Sequence, residues 1–245
     1  MEDEVVEAGD ATGVARAASK RLALLLGNAV TRRGEATLAL SGGNTPRETY
    51  ALLAREVGVA WSKVRIFWVD ERAVPPDSDR SNYLAAKNTL LDAARIPEAR
   101  VHRMPAEQPD RARAALDYEA LVRRYVPAAA SGFPSFDAMV LGMGDDGHTA
   151  SLFPGEPTVS IADRAVVEVA ASGGREARLT LTTPVIQSAA HVLVLLVGAD
   201  KHAPLLRAWE ADGEERLTPI RVVRACRGSV TWIGDRAAIG AARPG

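Results

Sequence analysis

The run "HVLVLLVG", His191 to Gly198, sets six apolar residues in a row without polar alternation. A strand with one face in water alternates apolar and polar side chains, whereas a strand apolar at every position is buried on both faces, as in a parallel sheet covered by helices. Further β-like runs are "ATLALSGG", "VRIFWVD" (Val64 to Asp70), "FDAMVLGMG" (Phe136 to Gly144), "AVVEVA" (Ala165 to Ala170), "RLTLT" (Arg178 to Thr182) and "SVTWIGD" (Ser229 to Asp235). Helical patterns lie between several of them. From Ala11 to Arg33, Val14, Ala17, Ala18, Leu22, Leu25, Leu26 and Ala29 recur at helical spacing, which predicts a long amphipathic helix ending near Gly34. Strands alternating with helices predict an α/β fold, doubly wound around a mostly parallel sheet with helices on both faces. No repeat or linker interrupts the pattern, so residues 1–245 read as a single domain. In open sheets of this kind ligands bind outside the carboxyl ends of the strands, which directs attention to the loops that follow them.

Charge and composition narrow the partners. Lysines and arginines (30) nearly balance aspartates and glutamates (31), giving a net charge of -1 with the signs interspersed. There is no basic field to neutralise a phosphate backbone, so no nucleic-acid partner is expected. The one cysteine, Cys226, excludes an internal disulfide and fits a reducing compartment. The start, "MEDEVVEAGDATG", is acidic where a secretory signal is basic and then apolar, and no apolar stretch reaches the roughly 18 residues of a membrane span. A cytoplasmic location without a membrane partner is the expectation.

Four strand-following loops carry candidate chemistry. In "SGGNTPRE", Gly42 and Gly43 allow close backbone approach, Thr45 offers a hydroxyl, and Pro46 can open a helix whose amino end attracts phosphate; alternatively Asn44 or Thr45 simply caps that helix. In "WVDERAVP", Asp70 can accept a proton or hydroxyl and Arg72 can hold an anionic oxygen, or the group is a solvated charge cluster. In "LGMGDDGHTASLFPG", His148 follows Asp146 by two positions, so the carboxylate can fix the imidazole tautomer; the plain alternative is a histidine capping a short helix at "TASLF". In "GADKHAPLL", Lys201 stands where a helix begins, a place that disfavours cations unless an anion such as a phosphate lies near; the plain alternative is a solvated lysine. Scattered histidines (102, 148, 191, 202) argue against a metal, and the absence of G-x-S-x-G argues against a serine hydrolase.

Taken in order, "LSGGNTPRETY", "FWVDERAVPPDSDRSNY", "VLGMGDDGHTASLFPG", "RLTLTTPVIQSA" and "VGADKHAPLL" resemble the 6-phosphogluconolactonases, which share a fold with the glucosamine-6-phosphate deaminases. The resemblance spans about Leu40 to Leu206, and "RVVRACRGSVTWIGD" resembles the family's last strand. It implies hydrolysis of a sugar-phosphate lactone in the oxidative pentose phosphate pathway, without cofactor or metal. It also implies His148 as catalytic base with Asp146 beside it, and Asp70 and Arg72 lining the site. Gly42, Gly43, Asn44, Thr45, Arg178 and Lys201 would meet the substrate, with Asn82 contacting or ordering the site. The only implied partner is the small-molecule lactone; a monomer is compatible with this reading and the oligomeric state stays open. Two competing readings are an amino-sugar-phosphate deaminase and a non-catalytic sugar-phosphate sensor. The first is disfavoured because deaminase relatives carry "FNEP" where this chain has "SLFP"; the second because a sensor would bring a DNA-binding helix-turn-helix.

Overall fold

The structure is a computed structural model that describes residues 3–241. Strand β1 (Glu4–Glu7) leads into α1 (Ala11–Arg33), β2 (Ala36–Leu40) and α2 (Asn44–Leu53). Next come β3 (Val64–Trp68), β4 (Asp70–Arg72), α3 (Asn82–Ala86), α4 (Arg111–Tyr125) and β5 (Ala138–Gly142). The chain continues through β6 (Val166–Val169), β7 (Arg178–Leu181), α5 (Thr183–Ser188), β8 (His191–Leu196), α6 (His202–Trp209), β9 (Ser229–Gly234) and α7 (Arg236–Ile239).

The long first helix has the predicted limits for identifiable reasons. Asp10 caps its amino end by accepting the Gly13 N–H at 2.7 Å. Gly34, at φ 80°, ends it in the left-handed conformation that glycine adopts without steric cost. Val14, Ala18, Leu22, Leu26 and Ala29 are fully buried against the sheet, and each such leucine contributes about 2 kcal/mol of apolar burial.

Six strands form a parallel sheet in the order β1-β9-β8-β5-β2-β3. All of β2, and all of β8 except its first residue His191, are buried, as an unalternating apolar strand requires. From β2 the chain moves to β3 on one side, then returns to β5 on the other and continues outward through β8 and β9. The carboxyl ends of β2 and β5 therefore flank the point where the winding reverses, the expected place for a ligand crevice.

Two features depart from the pattern read in the sequence. A second, three-stranded antiparallel sheet, β4-β7-β6, stands beside the first. The apolar run Val64 to Asp70 is divided between the two sheets. Val69 makes the transfer: its N–H bonds Leu40 O at 2.9 Å in the first ladder, and its carbonyl accepts from Leu181 N at 2.7 Å in the second. Both sheets bury this run, so apolarity alone does not reveal the change of partner. The acidic start also holds a strand, β1, which pairs with β9 at the sheet edge, where its two glutamates blunt an otherwise open edge.

Candidate active site

The loop after β2 is held by a side chain far from its own turn. The Tyr50 hydroxyl donates to Ser41 O (2.9 Å) and accepts from Ser41 N (3.0 Å), and burial drives this phenol well above its usual pKa. Gly42 has no room for a side chain: a Cβ there would lie 1.9 Å from Asn82 Oδ1. Gly43, at φ 106°, is the N-cap of α2, which has no side-chain cap. Neither Asn44 nor Thr45 therefore serves as the cap, and the positive end of the helix faces the crevice. Ser41 Oγ, buried in the crevice wall, has no hydrogen-bond partner among the described residues.

After β5 the chain turns tightly, with Gly144 N bonded to His148 O at 2.9 Å and Gly147 N to Gly144 O at 3.1 Å. This turn folds Asp146 back onto His148. Its Oδ1 accepts the His148 backbone N–H at 2.9 Å and meets ring Nδ1 at 2.6 Å. Burial raises the Asp146 carboxyl, but the His148 backbone bond, its charge and its ring bond outweigh that and hold it below the usual carboxylate range. With Nδ1 donating to a carboxylate, Nε2 is left as the basic nitrogen, and it has no partner among the described residues. The segment Thr149 to Phe153 is turn and bridge, not helix, so His148 caps nothing. Phe153 supports the imidazole, ring to ring at 4.7 Å.

The second sheet supplies the opposite wall. Arg72 and Arg178 are cross-strand partners in the β4–β7 ladder, two residues from the pair Asp70 and Thr180. Asp70, buried, accepts at Oδ2 from Ser151 Oγ (2.7 Å) and Arg178 Nη1 (3.3 Å), and at Oδ1 from Asn82 Nδ2 (3.3 Å). Arg72 is steadied by donating to Arg80 O at 2.7 Å. Glu71 turns the other way: it accepts from the backbone N–H groups of Arg72, Asn82 and Tyr83 and from Ser81 Oγ, fixing the start of α3. Burial raises the Glu71 carboxyl more than those bonds lower it.

Lys201 ends a 3-10 turn, Ala199–Lys201, just ahead of α6. Its Nζ pairs with the neighbouring Asp200 Oδ2 at 2.7 Å while the side chain borders the crevice.

These pieces enclose a cavity of about 450 Å³. Ten of the eleven residues singled out in the sequence line it: Gly42, Gly43, Asn44, Thr45, Asp70, Arg72, Asn82, His148, Arg178 and Lys201. Asp146 stands behind His148. Arg72, Arg178 and Lys201 border the cavity together with the Asp70 carboxylate, while Asp200, outside the lining, pairs with Lys201. Sequence reasoning missed Ser41, Met143, Ala150, Leu195 and Val197 in the lining and Ser151 behind it. The apolar members carry no polar signal, and Ser151 acts through a partner 81 positions away.

The other three histidines have structural employment. His102 stacks on Tyr125 at 4.8 Å, and burial, then Arg65 and Arg100, push its pKa down to about 4. His191 bonds Ser229 Oγ, and His202 Nδ1 meets Ala238 O at 2.9 Å. No cluster of three or more potential metal-ligating side chains occurs among the described residues, and none of their helices is long and apolar enough to cross a membrane.

The family model described as glucosamine-6-phosphate isomerases/6-phosphogluconolactonase matches residues 9–232. A 6-phosphogluconolactonase of Synechocystis is 40% identical over 210 residues, covering 86% of each chain. The solved 6-phosphogluconolactonase of Trypanosoma brucei superimposes with a TM-score of 0.87 at 27% identity, covering 97% of this chain and 98% of that one. A monomeric glucosamine-6-phosphate deaminase shares the fold, with a TM-score of 0.81 at 20% identity over 96% of this chain and 98% of that one. The chain belongs to the glucosamine-6-phosphate isomerase/6-phosphogluconolactonase family.

Proposed function

We propose that this chain is a lactone hydrolase that opens 6-phospho-D-glucono-1,5-lactone to 6-phospho-D-gluconate, the second step of the oxidative pentose phosphate pathway, with His148 as general base. The observation that carries this reading is the Asp146–His148 pair, joined at 2.6 Å through Nδ1, beside a cavity that also holds Arg72, Arg178, Lys201 and the uncapped end of α2. A volume of about 450 Å³ lies within the roughly 300–1,000 Å³ typical of small-molecule sites.

Opening the ring requires water to add to the ester carbonyl and the ring oxygen to leave as an alcohol. In the proposed course, His148 Nε2 takes a proton from the attacking water as the carbon–oxygen bond forms. Asp146 holds the imidazole in the required tautomer and stabilises its cation. Arg72 or backbone amides balance the negative charge that develops on the carbonyl oxygen. As the tetrahedral intermediate collapses, the ring carbon–oxygen bond breaks and the imidazolium returns its proton to the leaving oxygen. Arg178, Lys201 and the Gly42–Thr45 turn hold the phosphate, whose dianion suits paired cations and a helix amino end. Asp70 and Asn82 order the wall that carries Arg178. Both sheets contribute to this one cavity, which supports reading the chain as one domain.

The test is a coupled assay in which the lactone is generated in place and its disappearance followed with and without the protein. Acceleration well above spontaneous hydrolysis, without ammonia release from glucosamine 6-phosphate, is the expected result. Ammonia release would instead establish the deaminase, which the "SLFP" sequence disfavours. Binding of the sugar phosphate without turnover would establish a sensor.

A further inference from the structure

We propose that Ser151 is a positioning residue for phosphate recognition, acting through Asp70 on Arg178; this role rests on the lactonase reading above. Ser151 is fully buried and touches no cavity surface, yet both of its hydrogen-bonding ends are committed across the boundary between the two sheets. Its N–H donates to Thr180 Oγ1 at 3.2 Å and its hydroxyl to Asp70 Oδ2 at 2.7 Å. The same Asp70 oxygen receives Arg178 Nη1 at 3.3 Å, and Arg178 Nη1 also lies 3.5 Å from Ser151 Oγ.

The arrangement fixes a carboxylate that in turn fixes a cation. Asp70 has Ser151 and Arg178 on one oxygen and Asn82 Nδ2, at 3.3 Å, on the other, so it cannot rotate without giving up a buried donor. Through Nη1 it grips one corner of the Arg178 guanidinium. Arg178 Nε stays buried without a partner among the described residues. An arginine that lines the cavity with one corner held by a buried carboxylate is preorganised for an anion: its rotamer freedom is already lost before the ligand arrives.

Ser151 also lies three residues beyond His148. Ala150, between them, has a left-handed φ of 48°, uncommon for a residue with a side chain. That bend lets one short segment present the imidazole to the cavity and send the serine hydroxyl behind it. The Ser151–Asp70 bond thus ties the loop bearing the proposed base to the strand bearing a proposed phosphate ligand. It sets the distance between the two ends of the substrate.

The test is a mutant cycle of Ser151→Ala with Arg178→Ala, read as KM and kcat on the phosphorylated lactone and on unphosphorylated gluconolactone. Ser151→Ala is expected to raise KM for the phosphorylated lactone about tenfold, the scale of one bond to a charged group, and to move the unphosphorylated substrate less than about twofold. In the Arg178→Ala background the serine change should add nothing further, since its effect passes through Arg178. Equal losses on both substrates, a loss in kcat alone, or multiplicative effects in the double variant would overturn the role. Ser151→Cys, which fills the same space but replaces the hydroxyl by a much weaker donor, is expected to raise the same KM in the same direction by a smaller factor if the alanine variant does not fold. A wild-type protein inactive on both lactones would instead sink the lactonase reading itself, and that shows before any variant is compared.

Discussion

Gly144→Ala is a one-methyl test of the site's geometry. The backbone at Gly144 is not left-handed, so alanine is compatible with its conformation. Space is the difficulty. The added carbon would lie 2.1 Å from His148 Nδ1, 2.3 Å from Cε1 and 2.7 Å from Asp146 Oδ1, where ordinary contact begins near 3.4 Å. The imidazole must therefore retreat by about 1.3 Å, and Asp146, bonded to it, must move as well. A misplacement of about 1 Å in a catalytic group can cost on the order of 10²-fold in rate. We expect kcat on the phosphorylated lactone to fall about a hundredfold with KM changed less than about threefold, since the proposed phosphate contacts lie elsewhere. The clash falls on side chains beside a cavity, so unfolding stability should drop by no more than about 1 kcal/mol. Initial rates corrected for spontaneous hydrolysis, with a thermal melt on the same sample, provide both readings. A variant that melts like wild type and keeps its kcat would refute the placement of the His148–Asp146 pair at the reacting centre.

The remaining predictions concern phosphate and acid. Lys201→Ala should mainly raise KM for the phosphorylated lactone and narrow its advantage over gluconolactone; equal losses on both substrates would argue against the phosphate role. Glu119 carries an acid-dependent part of the stability. Burial raises its carboxyl, but bonds from Arg123, the Ala165 and Val166 N–H groups and Arg164 outweigh it and leave the pKa below the usual value. A carboxyl depressed on folding contributes stability above its unfolded pKa, about 4.3, and loses it as pH falls through the folded value. Glu119→Gln should therefore cost about 1–2 kcal/mol near pH 7, a few degrees of Tm, and the gap to wild type should shrink on acidification toward pH 3. A gap of constant size across that range would show that the charge plays no part.

What could be seen in the sequence follows the range over which each interaction acts. The limits of α1 depend on Asp10, Gly34 and an apolar spacing, all local, and they agree with the structure. The β5 turn is also local, since Asp146 and His148 meet two positions apart, so the carboxylate–imidazole pair was legible. The second sheet was not, because Val64 to Val69 are apolar or half-buried whichever ladder they join, and the transfer at Val69 depends on Leu40 and Leu181. For the same reason Asp70 read as a free acid at a strand end, whereas Ser151, Arg178 and Asn82 surround it from distant parts of the chain. For Lys201 the sequence offered a phosphate contact or a solvated lysine, and neither reading named the neighbouring carboxylate of Asp200 that its ammonium meets at 2.7 Å.

In the proposed mechanism one imidazole activates water at a cavity that holds a sugar phosphate. The most direct measurement is the background-corrected rate of 6-phosphogluconolactone hydrolysis by His148→Ala against wild type, with folding confirmed by melting. A loss of about 10²–10⁴-fold or more in kcat with the fold retained is expected. Near-wild-type turnover by the folded variant would contradict it.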